Sequence, residues 1–320
     1  MAYIVYAKVK NRRKRLQKPT ISFIGAGRMG TALARALSSK GYTVLAMVAR
    51  KEAHARRAAE LAGAHGALAV SHERLRKIPE SDILFITTPD DAIGPVAAQL
   101  AAHFGKRLTE AGGREKRART ALHASGALSS EALGPLKEAG FATGSLHPLL
   151  SVSDAAQGAE RLASAFFCVE GDERARRVAR LLVRDIGAKS FSIDARDKAL
   201  YHAAAVMASG HVTALFDMAA EMLERCGLEP KRARGVLLPL LRSALENLCA
   251  SDPAHALTGT FARADTSTVR RHLAALGTEG TADALAGYRL LGLRSLQLAR
   301  EAGASEEALE EIERLLRIKN

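Results

Sequence analysis

The chain has only three cysteines in 320 residues, Cys168, Cys226 and Cys249. Their odd number and the lack of any CxxC pair exclude a disulfide framework and a four-ligand zinc site. A reducing cytoplasm and no bound metal are therefore expected. No segment reaches about 18 uninterrupted apolar residues, so no membrane span is expected either. The 26 Gly and 9 Pro follow no period, and 48% hydrophobic residues with 25% charge exclude a disordered chain. A length of 320 residues predicts two domains of roughly 150 residues each.

Acidic residues are missing altogether from the first 18 positions, which carry Lys8, Lys10, Arg12, Arg13, Lys14, Arg15 and Lys18. More than half of the net charge of +13 therefore lies in this leader, and the remainder suits an enzyme that binds an anion. Residues 1–19 read as a basic, disordered extension. Their apolar-then-basic order reverses that of a secretory signal. A nucleic-acid partner would rest on this leader alone.

Short apolar runs then alternate with helical patterns, the signature of βαβ units around a parallel sheet. Strands are predicted at Ile21–Ile24, Thr43–Val48, Ile83–Thr87, Thr120–His123, Ala142–Leu146, Ala165–Val169 and Lys189–Ile193. Helices are predicted at Thr31–Ser39, Lys51–Ala62 and Asp172–Ile186, and a basic loop at Gly105–Arg119. After Ile193 only helical spacing remains: Asp197–Arg225, Pro230–Leu248, Thr266–Leu276, Thr281–Ala302 and Ser305–Leu316. The fold class is thus an α/β Rossmann-like doubly wound sheet over 20–194, followed by an all-α domain over 195–320. The helix Asp197–Arg225 is apolar on most faces and must be covered, at a domain centre or a subunit interface.

The strand Ile21–Ile24 runs directly into Gly25, Ala26, Gly27, Arg28, Met29 and Gly30 and then a helix, the context in which GxGxxG binds a dinucleotide. Gly25 makes the turn, Gly27 admits the pyrophosphate, and Gly30 allows close packing of helix on strand. The phosphates would meet free N–H groups at the helix start. Where an acid would hold the ribose of NAD, the second strand ends in Arg50 and Lys51, which suit the 2′-phosphate of NADP(H). Glu52 is the nearest acid. Thr88, Pro89 and Asp90 end another strand and form a wall on the cofactor side.

Three polar clusters interrupt apolar segments: His123 with Ser125, His147 with its flanking Ser145, and Tyr201 with His202. The first two fall at strand C-termini. Together with GAGRMGTALARAL, TPDDAI, LHASGALSS, GSLHPLLS, YHAAAVMAS and LTGTFARAD they make the chain resemble a family of bacterial oxidoreductases. In that family a Rossmann-like domain precedes a helical domain of unassigned function, in a layout similar to pyrroline-5-carboxylate reductase, 6-phosphogluconate dehydrogenase and 3-hydroxyisobutyrate dehydrogenase. The resemblance covers residues 20 to 290. Gly210, Thr260 and Ala264 stand where the family has Asn, Pro and Gly.

The resemblance implies a catalytic Lys198 on the first long helix, with His202 where related dehydrogenases carry Asn. Positions i and i+4 share a helix face, and Ser209 continues the stripe. Lys198 is expected to supply a proton and His202 to orient the substrate, with His123, His147 and Ser125 as further catalytic candidates. The loop carrying Thr258 and Arg263 resembles one that lines the substrate site of pyrroline-5-carboxylate reductase, and these two residues would hold a carboxylate. The expected protein is a homodimeric NADP-dependent oxidoreductase that reduces the carbonyl or imine carbon of a small carboxylate, either a ketopantoate-type 2-oxo acid or a cyclic imino acid. The alternative is a catalytically idle NADP-binding sensor.

Overall fold

The computed structural model describes residues 18–110 and 119–318. The basic leader up to Gln17 and residues 111–118 of the expected basic loop lie outside the described residues. The first half of the chain runs β1 (Ile21–Ile24), α1 (Arg28–Ser39), β2 (Val44–Ala49), α2 (Glu52–Leu61), β3 (Leu68–Ser71), β4 (Ile83–Ile86), α3 (Asp90–Glu110), β5 (Thr120–His123), α4 (Gly134–Glu138), β6 (Ala142–Pro148), α5 (Ala155–Arg161), β7 (Phe166–Gly171), α6 (Glu173–Ile186) and β8 (Lys189–Phe191). There follow α7 (Lys198–Met207), α8 (Gly210–Arg225), α9 (Pro230–Ala250), α10 (Pro253–Ala256), α11 (Thr266–Leu276), α12 (Ala282–Glu301) and α13 (Glu306–Arg317).

Eight strands form one sheet in the order β3-β2-β1-β4-β5-β6-β7-β8. Every residue of β1, β4 and β5 is buried, because helices cover both faces of a doubly wound sheet and leave neither side open to solvent. Alternate side chains feed two apolar layers. Phe23, Met47 and Phe85 pack with Leu33 and Leu37 of α1, while Ile24, Val48 and Ile86 pack with Ile93 and Leu100 of α3. All strands from β3 to β6 are parallel, so the C-terminal ends of β1, β2, β4, β5 and β6 share one edge.

The structure differs from the sequence expectation at four places. The strand β3 was not expected; it is short and half exposed. Residues 105–110 continue α3 rather than forming a loop. Strand β7 pairs antiparallel with β6, His147 facing Cys168, since the chain folds back at Leu149, whose N–H donates to Phe166 O at 2.8 Å. The single helix expected over Asp197–Arg225 is two, broken at Ser209 with φ −131° and ψ −75°.

The described residues form two compact units, one reaching Ala205 and one beginning at Val206, so the first two turns of α7 belong with the sheet. The second unit is all helical around a small core of Val269, Leu296, Ala299, Leu309, Ile312 and Leu316. Asp265 caps α11, accepting from Thr268 N at 3.0 Å. Ala195–Arg225 is the one segment among the described residues long and apolar enough to cross a membrane by length and composition. It contains Lys198, Asp217, Glu221 and the break at Ser209.

Candidate active site

The glycine turn is built by close contacts. Gly25 has φ +117°, its N–H and that of Ala26 donate to Val48 O at 2.9 and 2.8 Å, and its carbonyl accepts from Thr87 Oγ1 at 2.6 Å. A Cβ on Gly25 would lie 2.5 Å from the Thr87 backbone, and one on Gly30 would collide with Gly25 O and Thr87 Oγ1. Both positions must therefore be glycine. At Gly27 a Cβ would meet nothing within 4 Å, so the open space beside it faces outward, at the start of α1. The N–H groups of Arg28, Met29 and Gly30 in that first turn have no helical partner. Nearby, at the end of β4, Thr88 Oγ1 is buried without a partner. An anion-shaped cradle with an orphaned hydroxyl at its edge fits a dinucleotide diphosphate.

Arg50 and Lys51 follow β2 at the same sheet edge, both exposed and neither in an ion pair among the described residues. The carboxylate of Glu52 is engaged by Arg56 at 3.0 Å and Arg74 at 3.6 Å, which turns this acid toward protein cations. Pro89 and Asp90 are exposed where β4 passes into α3.

The strand ends β5 and β6 carry the polar cluster, together with the start of α7. His123 is fully buried, its Nε2 3.0 Å from Ser129 O and its Nδ1 accepting from Ser125 N at 3.2 Å. Burial holds its pKa down at about 4, so the ring is neutral and both nitrogens are spent on the turn. The Ser125 hydroxyl accepts from the N–H groups of Ala127 and Leu128 at 3.2 and 3.0 Å. His123 and Ser125 thus shape the loop, and both ring nitrogens of His123 are taken up within it.

Lys198 is 1% exposed. Its Nζ donates to Ser125 O at 3.1 Å and to Ser145 Oγ at 2.9 Å, and it lies 5.4 Å from the centre of the Tyr201 ring. Burial lowers its pKa. Lys198, expected from the sequence to supply a proton, ties α7 to the ends of β5 and β6.

His147 and His202 are only part-buried, and their rings meet edge to face with centroids 5.7 Å apart. Burial first, and then the neighbouring Lys198 ammonium, depresses the His147 pKa to about 3. Gly126 lies against both rings, and a Cβ there would collide with His202 Cδ2 and crowd His147 Nε2. The structure therefore brings Ser125, His147, Lys198 and His202 together around Gly126. Ser209 opens α8 in the second unit, past the helix break, so the α7 stripe does not extend to it. Thr258 and Arg263 are exposed in the loop before α11, also in the second unit.

Residues 20–109 match a family model described as NADP oxidoreductase, coenzyme F420-dependent, and residues 165–295 match a domain of unknown function, DUF2520. Among solved structures it is similar to a Thermotoga maritima protein, at 24% identity and a TM-score of 0.66, over 88% of this chain and 99% of that one. A Bacteroides fragilis protein named as a candidate NADP oxidoreductase matches at 21% identity and 0.67, over the same shares. A 1-pyrroline-5-carboxylate reductase from Streptococcus pyogenes matches at 14% and 0.55, over 92% and 98%. These likenesses establish the shared fold. No curated protein matches the sequence.

Three residues of the cluster had been given no role from the sequence. Ser145 and Gly126 sit inside motifs quoted for their histidines, and Tyr201 stands beside His202. What assigns them is the pairing of β5 with β6 and the angle of α7, which no local spacing encodes.

Proposed function

We propose that the protein is an NADP-dependent oxidoreductase that reduces the carbonyl or imine carbon of a small carboxylate. The observation that carries this reading is positional: the glycine turn after β1 and the His147–His202 pair both sit at the edge formed by the C-terminal ends of the parallel strands. Doubly wound sheets bind dinucleotide and substrate at that edge. The bound cofactor supplies a hydride. Gly27 and the first turn of α1 hold its diphosphate, and Arg50, free of acidic partners, holds a 2′-phosphate.

On this reading His202 supplies the proton to the reacting oxygen or nitrogen, His147 orients that atom, and Lys198 holds the two strand ends in place. The names of the similar Bacteroides fragilis and Streptococcus pyogenes proteins support the reaction class. The reducing cytoplasm is the compartment that suits three free cysteines. A panel of 2-oxo acids and cyclic imines tested for NADPH oxidation decides the matter. The wild type should turn over at least one of them, and His202→Ala should lower kcat about a hundredfold with NADPH affinity unchanged. Tight NADPH binding without consumption on any member would leave an NADP-binding sensor instead.

A further inference from the structure

The phenol of Tyr201 is 2.6 Å from His147 Nδ1. We propose that Tyr201 is a positioning residue that locks His147 in the tautomer with its proton on Nε2, so that this N–H is the donor presented to the substrate. The inference rests on the proposed reaction for its purpose, although its geometry stands alone.

The direction of the hydrogen bond follows from the available groups. Tyr201 has one proton and two neighbours that could accept it, His147 Nδ1 and the sulfur of Cys168, with which its hydroxyl also interacts. An imidazole nitrogen is a strong acceptor and sulfur a weak one. The phenol therefore donates to Nδ1. Burial raises the pKa values of both Tyr201 and Cys168, which keeps the phenol protonated and the thiol neutral, able to donate S–H to the phenol oxygen. With the phenol donating to Nδ1, the remaining ring proton sits on Nε2.

The fold holds this arrangement from three directions. Antiparallel pairing sets Cys168 opposite His147. Phe191 meets the Tyr201 ring edge-on at 5.9 Å, and Tyr201 in turn meets the His147 ring edge-on at 5.6 Å. No described residue hydrogen-bonds Nε2, whose near neighbour is the bare Cα of Gly126. A neutral imidazole fixed in this way polarises a carbonyl oxygen or a neutral imine nitrogen, both of which accept a hydrogen bond.

The test is the tautomer itself, read at pH 7 by two-bond proton–nitrogen correlation NMR on the ¹⁵N-labelled full chain, with the His147 signals assigned through His147→Gln. In the wild type Nε2 should resonate as a protonated nitrogen and Nδ1 as an unprotonated one. Tyr201→Phe, with its fold checked by circular dichroism, should lose the single tautomer and give a mixture. A proton on Nδ1 in the wild type, or an unchanged pattern in Tyr201→Phe, would overturn the proposal. If the variant fails to fold, the wild-type spectrum still decides. The readout needs neither substrate nor cofactor, so a protein inactive toward the whole panel would defeat the proposed reaction and leave the tautomer result standing.

Discussion

Ala264 is the one non-glycine residue with positive φ among the described residues, at +50°. A Cβ in the left-handed region costs about 1–2 kcal/mol, which explains why the resembling family has Gly there. Ala264→Gly should therefore raise stability by about 1 kcal/mol once the extra entropy of the unfolded glycine is subtracted; a denaturant midpoint that falls would contradict this. His123 gives a second expectation, concerning pH. Its folded pKa is about 4, below the 6.5 of a free imidazole. Between these values the unfolded state binds the extra proton, so stability falls as pH falls, by about 1.4 kcal/mol per pH unit from this group. His147, held down at about 3, adds a slope of its own over the same range, so denaturant titrations from pH 6 to pH 4.5 should lose about 1.4 kcal/mol per pH unit of slope in His123→Gln. An equal slope in both proteins would mean that the ring is not held neutral by the fold.

The glycine turn is the element whose role separates most cleanly from stability. Space around Gly27 is open, so Gly27→Val should leave the melting temperature within a few degrees of wild type while weakening NADPH binding more than tenfold, measured by fluorescence titration. Unchanged affinity would remove the diphosphate from that cradle. Most elements of the sheet were legible because two-sided burial writes itself as near-continuous apolar runs, as in Ile83–Ile86 and, with Ser22 as the interruption, Ile21–Ile24. The element β3 was not, because Leu68 is exposed and only Val70 of its residues is buried. Gly105 and the charges after it imitate a loop, yet α3 passes through them to Glu110. The break at Ser209 was hidden by an apolar pattern that continues across it. Lys198 and His202 were correctly placed one turn apart, whereas the burial of the lysine depends on Ser125 and Ser145, which come from strands 73 and 53 residues away.

At the scale of the whole molecule, α9 poses the largest question. Its 21 residues bury only Ala233, while Leu238, Leu241, Leu245 and Leu248 recur at spacings of three and four and are 53, 38, 61 and 52% exposed. Helices of globular proteins are held mainly by packing of one apolar face; α8 and α10 touch α9, yet among the described residues this leucine row is left exposed. We propose that a second copy covers it. Light scattering at micromolar concentration should return twice the chain mass of 34.1 kDa, and Leu241→Glu with Leu245→Glu should shift the protein to monomer. A wild-type particle of single-chain mass would overturn the dimer, and association only with lipid vesicles would point to a membrane surface.

The brevity of β8 also sets a distance. Phe191, its third and last residue, is level with Cys168 and hence with His147 across the sheet. Were the strand to run for an ordinary five or six residues at about 3.3 Å each, the chain would leave the sheet roughly 7–10 Å lower, more than one helical turn. The position now held by Tyr201 beside His147 would pass to a residue more than one turn away along α7. Strand length thus works as a ruler: lengthening β8 while keeping every side chain of the cluster would still separate the phenol from its imidazole.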